Sequence, residues 1–173
     1  MEVTVQGTNS LKIRGKYASI QVNPTDKSNA YNAAILLSNP AKSSLKIDDE
    51  IVVIDGPGEY EAGGIKISGI RSEGVTAYSL LVDGVEVLLG DLKTLEKLHQ
   101  KVKEHTIALV YTPEEANVSF ATSLASSALL FYGEKSSIVI DSLAKDEKKV
   151  LPKYQITAEK LPLEMETVLL ASS

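Results

Sequence analysis

The chain has 173 residues, 43% of them hydrophobic and 24% charged, with 18 Lys and Arg against 23 Asp and Glu for a formal charge of −5. These are ordinary globular values, and a chain this long can bury roughly 70% of its unfolded surface around one core, so a single domain spanning residues 1–173 is expected. The absence of cysteine excludes a disulfide scaffold, a thiolate zinc site and a thiol nucleophile, and the acidic balance speaks against nucleic-acid binding.

From the N-terminus, Val3–Val5, Leu11–Arg14 and Ala18–Val22 alternate apolar and polar residues, as antiparallel strands with one wet face do. Asn23-Pro24-Thr25-Asp26 closes that meander. Ala33–Leu37 is apolar throughout, the pattern of a buried strand, and ends at Ser38-Asn39-Pro40. Ile51–Ile54 is a further strand, stopped by Asp55-Gly56-Pro57-Gly58. Tyr60, Ala62, Ile65, Ile67 and Ile70 continue a strand pattern through Gly63-Gly64. Ala77–Val82 and Val85–Leu89, joined by Asp83-Gly84, form the clearest hairpin, because Asp-Gly suits a type I′ turn. The period then changes. Leu92, Leu95, Leu98 and Val102 recur at three and four residues, predicting an amphipathic helix over 93–104. Ile107–Tyr111 reads as a strand, and Val118, Ala121, Leu124, Ala125 and Ala128 as a second helix. Leu129–Tyr132, Ile138–Ile140, Tyr154–Thr157 and Thr167–Leu170 read as strands, with 141–149 a charged link. Strands first, then helix–strand alternation, then strands again fits a two-sheet core with helices packed outside it.

Little in this pattern carries chemistry. The only histidines, His99 and His105, stand six apart, about 240° around a helix after whole turns, so they cannot share a metal; both are expected at the surface. The glycine-rich stretch Asp55–Gly64 is followed by strand residues, not by a helix or a Lys-Ser/Thr pair, which makes it a structural turn and not a phosphate loop. Asp91 stands at a strand end, an address for catalytic carboxylates, but equally suits the N-cap of the following helix. Ser119, Ser123, Ser126 and Ser127 have no histidine placed to act as a base. No apolar run approaches the roughly 18 residues of a membrane span, and the start Met1-Glu2-Val3-Thr4 is not that of a signal peptide, so a cytoplasmic protein is expected.

The segment Ile54-Asp55-Gly56-Pro57-Gly58-Glu59-Tyr60-Glu61-Ala62-Gly63-Gly64-Ile65 resembles the I-D-G-P-G-E-Y-E-V-G-G-V run of bacterial metallo-β-lactamase-fold hydrolases, in the branch similar to ascorbate-6-phosphate lactonases. Residues 3–26, with Lys12-Ile13-Arg14-Gly15-Lys16 and Asn23-Pro24, resemble that family's opening G-H-S-x-F-x-I-x-G-K and D-P-Y. Val82-Asp83-Gly84 and Leu89-Gly90-Asp91-Leu92 resemble its I-D-G and L-G-D-L, and Lys160-Leu161-Pro162 its closing K-x-x-L-P-x-E. The fold this implies is α+β: a four-layer αββα sandwich, here truncated, because the stretch between Ser44 and Ile51 is short where the family runs a helix.

The resemblance also implies what is missing. Where the family carries H-x-H-x-D-H, this chain has Asn39 and Ala41 for histidines, Ser43 for the aspartate and Ser44 for the last histidine. Thr8 replaces a further histidine, Asn23 the aspartate of D-P-Y, and no histidine falls near 130–133. Asp91 alone remains, at the family's metal-bridging position. A zinc pair needs three or four donors per ion in fixed geometry, so no metal and no cofactor are expected. The expected protein is thus a catalytically inactive relative, a binding or assembly subunit. Thr8, Asn39, Ser43, Ser44 and Asp91 would line a vestigial pocket, and the partner would be a second copy or an active relative. The alternative is a metal-dependent hydrolase with a rebuilt carboxylate site around Asp91, drawing on Glu59 and Asp55.

Overall fold

The computed structural model describes residues 1–25, 30–37, 47, 50–102, 104–143 and 149–172. Two sheets face each other. The six-stranded sheet runs in the order β13 (Lys153–Gln155), β1 (Glu2–Gly7), β2 (Ser10–Arg14), β3 (Ser19–Val22), β4 (Ala33–Ile35), β5 (Val52–Ile54). The eight-stranded sheet runs β12 (Lys149–Leu151), β14 (Glu166–Leu170), β11 (Ala128–Tyr132), β10 (Ile107–Tyr111), β9 (Val85–Asp91), β8 (Val75–Val82), β7 (Ile65–Ser72), β6 (Gly58–Ala62). Alternation along each strand sends Val3, Leu11, Ile13, Ile20 and Ile35 of one sheet against Val87, Leu89, Leu109 and Leu130 of the other, all buried between the layers.

The opposite face of the eight-stranded sheet is buried too where the helices cover it. Leu88, Ala108, Val110, Leu129 and Phe131 point outward there and are covered by Leu92, Leu95 and Leu98 of α1 (Leu92–Leu98) and Val139 and Ile140 of α2 (Ser136–Leu143). This explains why β10 and β11 are buried at every position and read as unbroken apolar runs. All described helices lie on this side. None of the described helices is long and apolar enough to cross a membrane.

Strands β6 to β9 form a meander of three tight hairpins. Their central pairs, Gly63-Gly64, Glu73-Gly74 and Asp83-Gly84, all have positive φ (56° and 86°, 52° and 82°, 51° and 79°), the geometry that matches a right-handed strand twist. The Asp83-Gly84 turn is as expected. Gly63-Gly64 does not carry a strand through but reverses it, and Gly63 sits where a Cβ would come within 2.5 Å of the Ala18 Cβ, so the hairpin tip packs directly on the other sheet.

Other expectations fail for local reasons. Ile138–Ile140 is not a strand but lies inside α2: Ser136, Val139 and Ile140 are buried at helical spacing while Ile138 is 53% exposed, and Ser136 Oγ donates to Gly133 O at the helix start. The place beside β11 goes to β14 instead. Because α2 runs to Leu143 and β12 starts at Lys149, the charged link is confined to the residues between them. The first helix stops at Leu98, and the second reduces to a 3-10 turn at Ser119–Ser123. There the hydroxyls of Thr122 and Ser123 donate to the carbonyls of Ser119 and Phe120, and Asn117 Oδ1 accepts from Ser119 N, so side chains compete for groups that a longer α-helix needs. His105 is not at the surface. It is buried, with Nε2 2.7 Å from Ser79 Oγ.

Candidate functional site

Parallel strands β9, β10 and β11 end level with one another, and Asp91, Tyr111 and Tyr132 are register partners across that end. Each lies two residues beyond Leu89, Leu109 or Leu130, whose side chains face the inter-sheet core, so all three belong to the same row. The carboxyl ends of parallel strands are where sheets of this kind place their chemistry.

Local sequence fixes this row tightly. Gly90 has no room for a side chain: a Cβ would stand 2.9 Å from Leu95 Cδ2, so glycine lets α1 fold back over the end of β9. Asp91 then caps α1. Its Oδ1 accepts from Thr94 N at 2.9 Å and its Oδ2 from Thr94 Oγ1 at 2.5 Å, leaving each carboxylate oxygen with a helix-start donor. Thr112 N and Oγ1 both donate to Tyr132 O at 2.7 Å, and Gly133, at φ 115°, passes so close to Thr112 that a Cβ would lie 2.7 Å from its carbonyl oxygen. The ends of β10 and β11 are stitched together.

The two tyrosines fill the space beside Asp91. Their rings lie 5.2 Å apart, tilted by 32°, and Tyr132 is fully buried, its hydroxyl without a hydrogen-bond partner among the described residues. Burial, with Tyr111 and Asp91 nearby, pushes the Tyr132 phenol well above its ordinary value. Next to this plug a cavity of about 420 Å³ opens, lined by Asp55, Arg71, Thr76, Tyr78, Asp91 and Thr94, with Leu36 and Leu37 closing one side. Tyr78 is pushed up to about 12, first by burial and then by Tyr60 and Asp55, with Arg71 acting the other way.

Of the residues expected at a vestigial pocket, Asp91 lines this cavity. Thr8 is exposed in the β1–β2 turn and is not among the described lining, while Asn39, Ala41, Ser43 and Ser44 lie outside the described residues. Asn23, expected from the resemblance to replace an aspartate, works as a staple: at φ 47° it accepts from Leu37 N at 2.9 Å through Oδ1 and donates to Asn9 O at 3.2 Å, tying the end of β4 to the β1–β2 turn. Glu59 accepts from Ser68 Oγ at 2.6 Å on the helix-bearing side of the sheet and does not reach the cavity. Tyr111, Tyr132, Arg71 and Tyr78 were not singled out from sequence. The available signal was a pair of consecutive apolar strands that each end in tyrosine.

The donor set among the described residues does not fit a metal pair. Among the described residues no three His, Asp or Glu side chains gather. His99 Nδ1 contacts Glu96 O beside the Phe120 ring, and His105 precedes β10 at the end opposite Asp91. Residues 38–46 contain no histidine, aspartate or glutamate, while Asp26, Asp48 and Asp49 lie outside the described residues. Asp55 and Asp91 face one cavity, but two carboxylates, one already capping a helix, fall short of the ligands a zinc or a hard cation takes.

No family model matches the sequence. No curated protein matches it. Solved structures do. A proposed Zn-dependent hydrolase of the metallo-β-lactamase superfamily from Thermotoga maritima superposes with a TM-score of 0.70 over 98% of each chain at 17% identity. A proposed metal-dependent hydrolase from Parabacteroides distasonis gives 0.55 at 18% identity, covering 83% of this chain and 88% of that one. CmlA, a diiron β-hydroxylase from Streptomyces venezuelae, gives 0.53 at 7% identity over 78% of this chain and 45% of its own. At these identities the likeness establishes the fold, which is that of the metallo-β-lactamases, and nothing of the activity.

Proposed function

We propose that this chain is a non-catalytic relative of the metal-dependent hydrolases whose fold it shares, and that it acts as a binding subunit through the polar cavity beside Asp91. The observation that carries this reading is the fate of Asp91. The one carboxylate at the family's metal-bridging position spends both oxygens on Thr94, and its register neighbours are tyrosines. A metal hydrolase needs donors that converge on an ion and leave a water free to be deprotonated.

The cavity remains large enough, at about 420 Å³, to hold a small molecule, and its walls offer a guanidinium, hydroxyls and two carboxylates. Arg71 makes no ion pair with any described residue, which suits an anionic group on the ligand. We assign the protein to binding, alone or beside an active relative.

Metal analysis is the test. Purified chain incubated with zinc, manganese or iron and then desalted is expected to retain far less than one equivalent. It is also expected not to hydrolyse a generic phosphodiester or lactone with Mn²⁺ present. One or more tightly held equivalents together with turnover would replace this reading with the rebuilt carboxylate site.

A further inference from the structure

The far end of the sandwich, where the β8–β9 turn carries Asp83, holds a second cavity of about 470 Å³. Its charged lining is Arg14 from the end of β2, Lys16 from the β2–β3 turn, Lys160 from the loop before β14, the Met1 amine, and the carboxylates of Glu2 and Asp83. The two acids are already engaged. Both Asp83 oxygens accept from Lys16 N, at 3.0 and 3.1 Å, and the Met1 amine lies 3.6 Å away. Glu2 accepts from Gln155 Nε2 and pairs with Lys153 at 3.4 Å. Arg14 and Lys160, by contrast, form no side-chain hydrogen bond or ion pair with any described residue. A protein of formal charge −5 thus keeps unpaired cations around one concavity, which focuses positive potential there.

An exposed ring stands beside it. A smaller cavity of about 270 Å³ shares Arg14, Gly15 and Lys16 with the first and continues it to Tyr17. Tyr17 is 80% exposed, and the Lys16 ammonium sits 5.0 Å from its ring centroid. The shared wall is well fixed. Gly15 is so close to the β8–β9 turn that a Cβ would lie 3.1 Å from Val82 Cγ1, and Lys160 N donates to Thr157 O at 3.1 Å to hold the opposite rim.

We propose that these joined cavities bind a phosphate-bearing small molecule with a planar ring, of the chemistry of a nucleoside diphosphate. Its anionic end lies among Arg14, Lys16 and Lys160, and its ring lies on Tyr17. The guanidinium and ammonium groups match phosphate oxygens, and the space is that of an ordinary ligand site. A flat tyrosine face accepts any base by stacking. This site is separate from the cavity at Asp91 and does not depend on the reading given for it.

Calorimetric titration of the purified chain with ADP and with inorganic pyrophosphate, at low ionic strength and without divalent cations, tests the assignment. Both are expected to bind, and more weakly as salt is raised. The double variant Arg14→Ala, Lys160→Ala is expected to weaken both by about tenfold or more. Tyr17→Ala is expected to weaken ADP by about tenfold and leave pyrophosphate unchanged, with Tyr17→Phe restoring ADP. These side chains are exposed, so the variants should fold, which an unchanged amide NMR spectrum would verify. Absence of binding of either ligand at millimolar concentration would overturn the proposal, as would affinities indifferent to the double variant. Affinity for a single-stranded oligonucleotide that rises with its length would replace the small ligand by a nucleic acid.

Discussion

Asp91 stands at the junction of β9 and α1 and caps the helix. As an N-cap it satisfies backbone and side-chain donors at the start of α1, so Asp91→Ala is expected to cost about 1 kcal/mol of stability, and Asp91→Asn less, because the amide oxygen can still accept from Thr94 N. Denaturant unfolding checks this, with metal content unchanged in both variants. Tyr132 works in the opposite direction. Its buried hydroxyl finds no partner among the described residues, so removing it should relieve a desolvation cost, and Tyr132→Phe is expected to raise the unfolding free energy by about 1 kcal/mol. A loss instead would mean that the hydroxyl is satisfied. Asp91 could be found in the sequence because Leu89-Gly90-Asp91-Leu92 is a distinctive string. Tyr111 and Tyr132 could not, because an aromatic at the end of an apolar strand reads as core until the register of three separate strands is known.

The hairpins and helices differ in how openly their sequences declare them. Gly63 and Gly74 both occupy positive φ, but only Gly63 meets another sheet, within 2.5 Å of the Ala18 Cβ, while nothing lies within 4 Å of the site a Gly74 Cβ would take. Gly74→Ala is therefore expected to cost about 1 kcal/mol from backbone strain alone. Gly63→Ala should cost about 2 kcal/mol or more, because strain and overpacking combine. Thermal or urea denaturation of the pair checks that ranking. Turns specified by two central residues, such as Asp83-Gly84, were legible because the signal is local. The helix at Ser136–Leu143 was not. Ile138-Val139-Ile140 is β-branched throughout and favours a strand in isolation. Only the arrival of β14 beside β11 and the burial of Val139 and Ile140 against the sheet make it a helix. At Ser119–Ser123 an apolar period suggested a helix, but serine and threonine hydroxyls bonded to nearby carbonyls broke it up.

The layered core governs how the protein responds to pH. Burial raises Tyr78 and Tyr132, and burial together with the hydrogen bond to Glu166 raises Tyr154. Phenols whose folded values are raised favour the native state fully below the unfolded value near 10, and that contribution disappears as pH climbs through the folded values. The unfolding midpoint is therefore expected to fall above about pH 10. Absorbance at 295 nm should count fewer than seven tyrosinates in the native chain at about pH 11, and all seven in urea. On the acid side Glu2 is lowered, chiefly by the Gln155 hydrogen bond and against the effect of burial, with Lys153 assisting. Its contribution is present above the unfolded value near 4.5 and is lost as pH falls through the lower folded one.

The sheet order β12-β14-β11 sets a sequence of assembly. Strand β14 follows β11 and β12 in the chain, yet it lies between them, and until it slots in neither has a partner on that side. A nascent chain cut or stalled before Glu166 would thus present two open edges and bare the apolar floor beneath α2. Such an intermediate invites capture by chaperones or pairing with another incomplete copy.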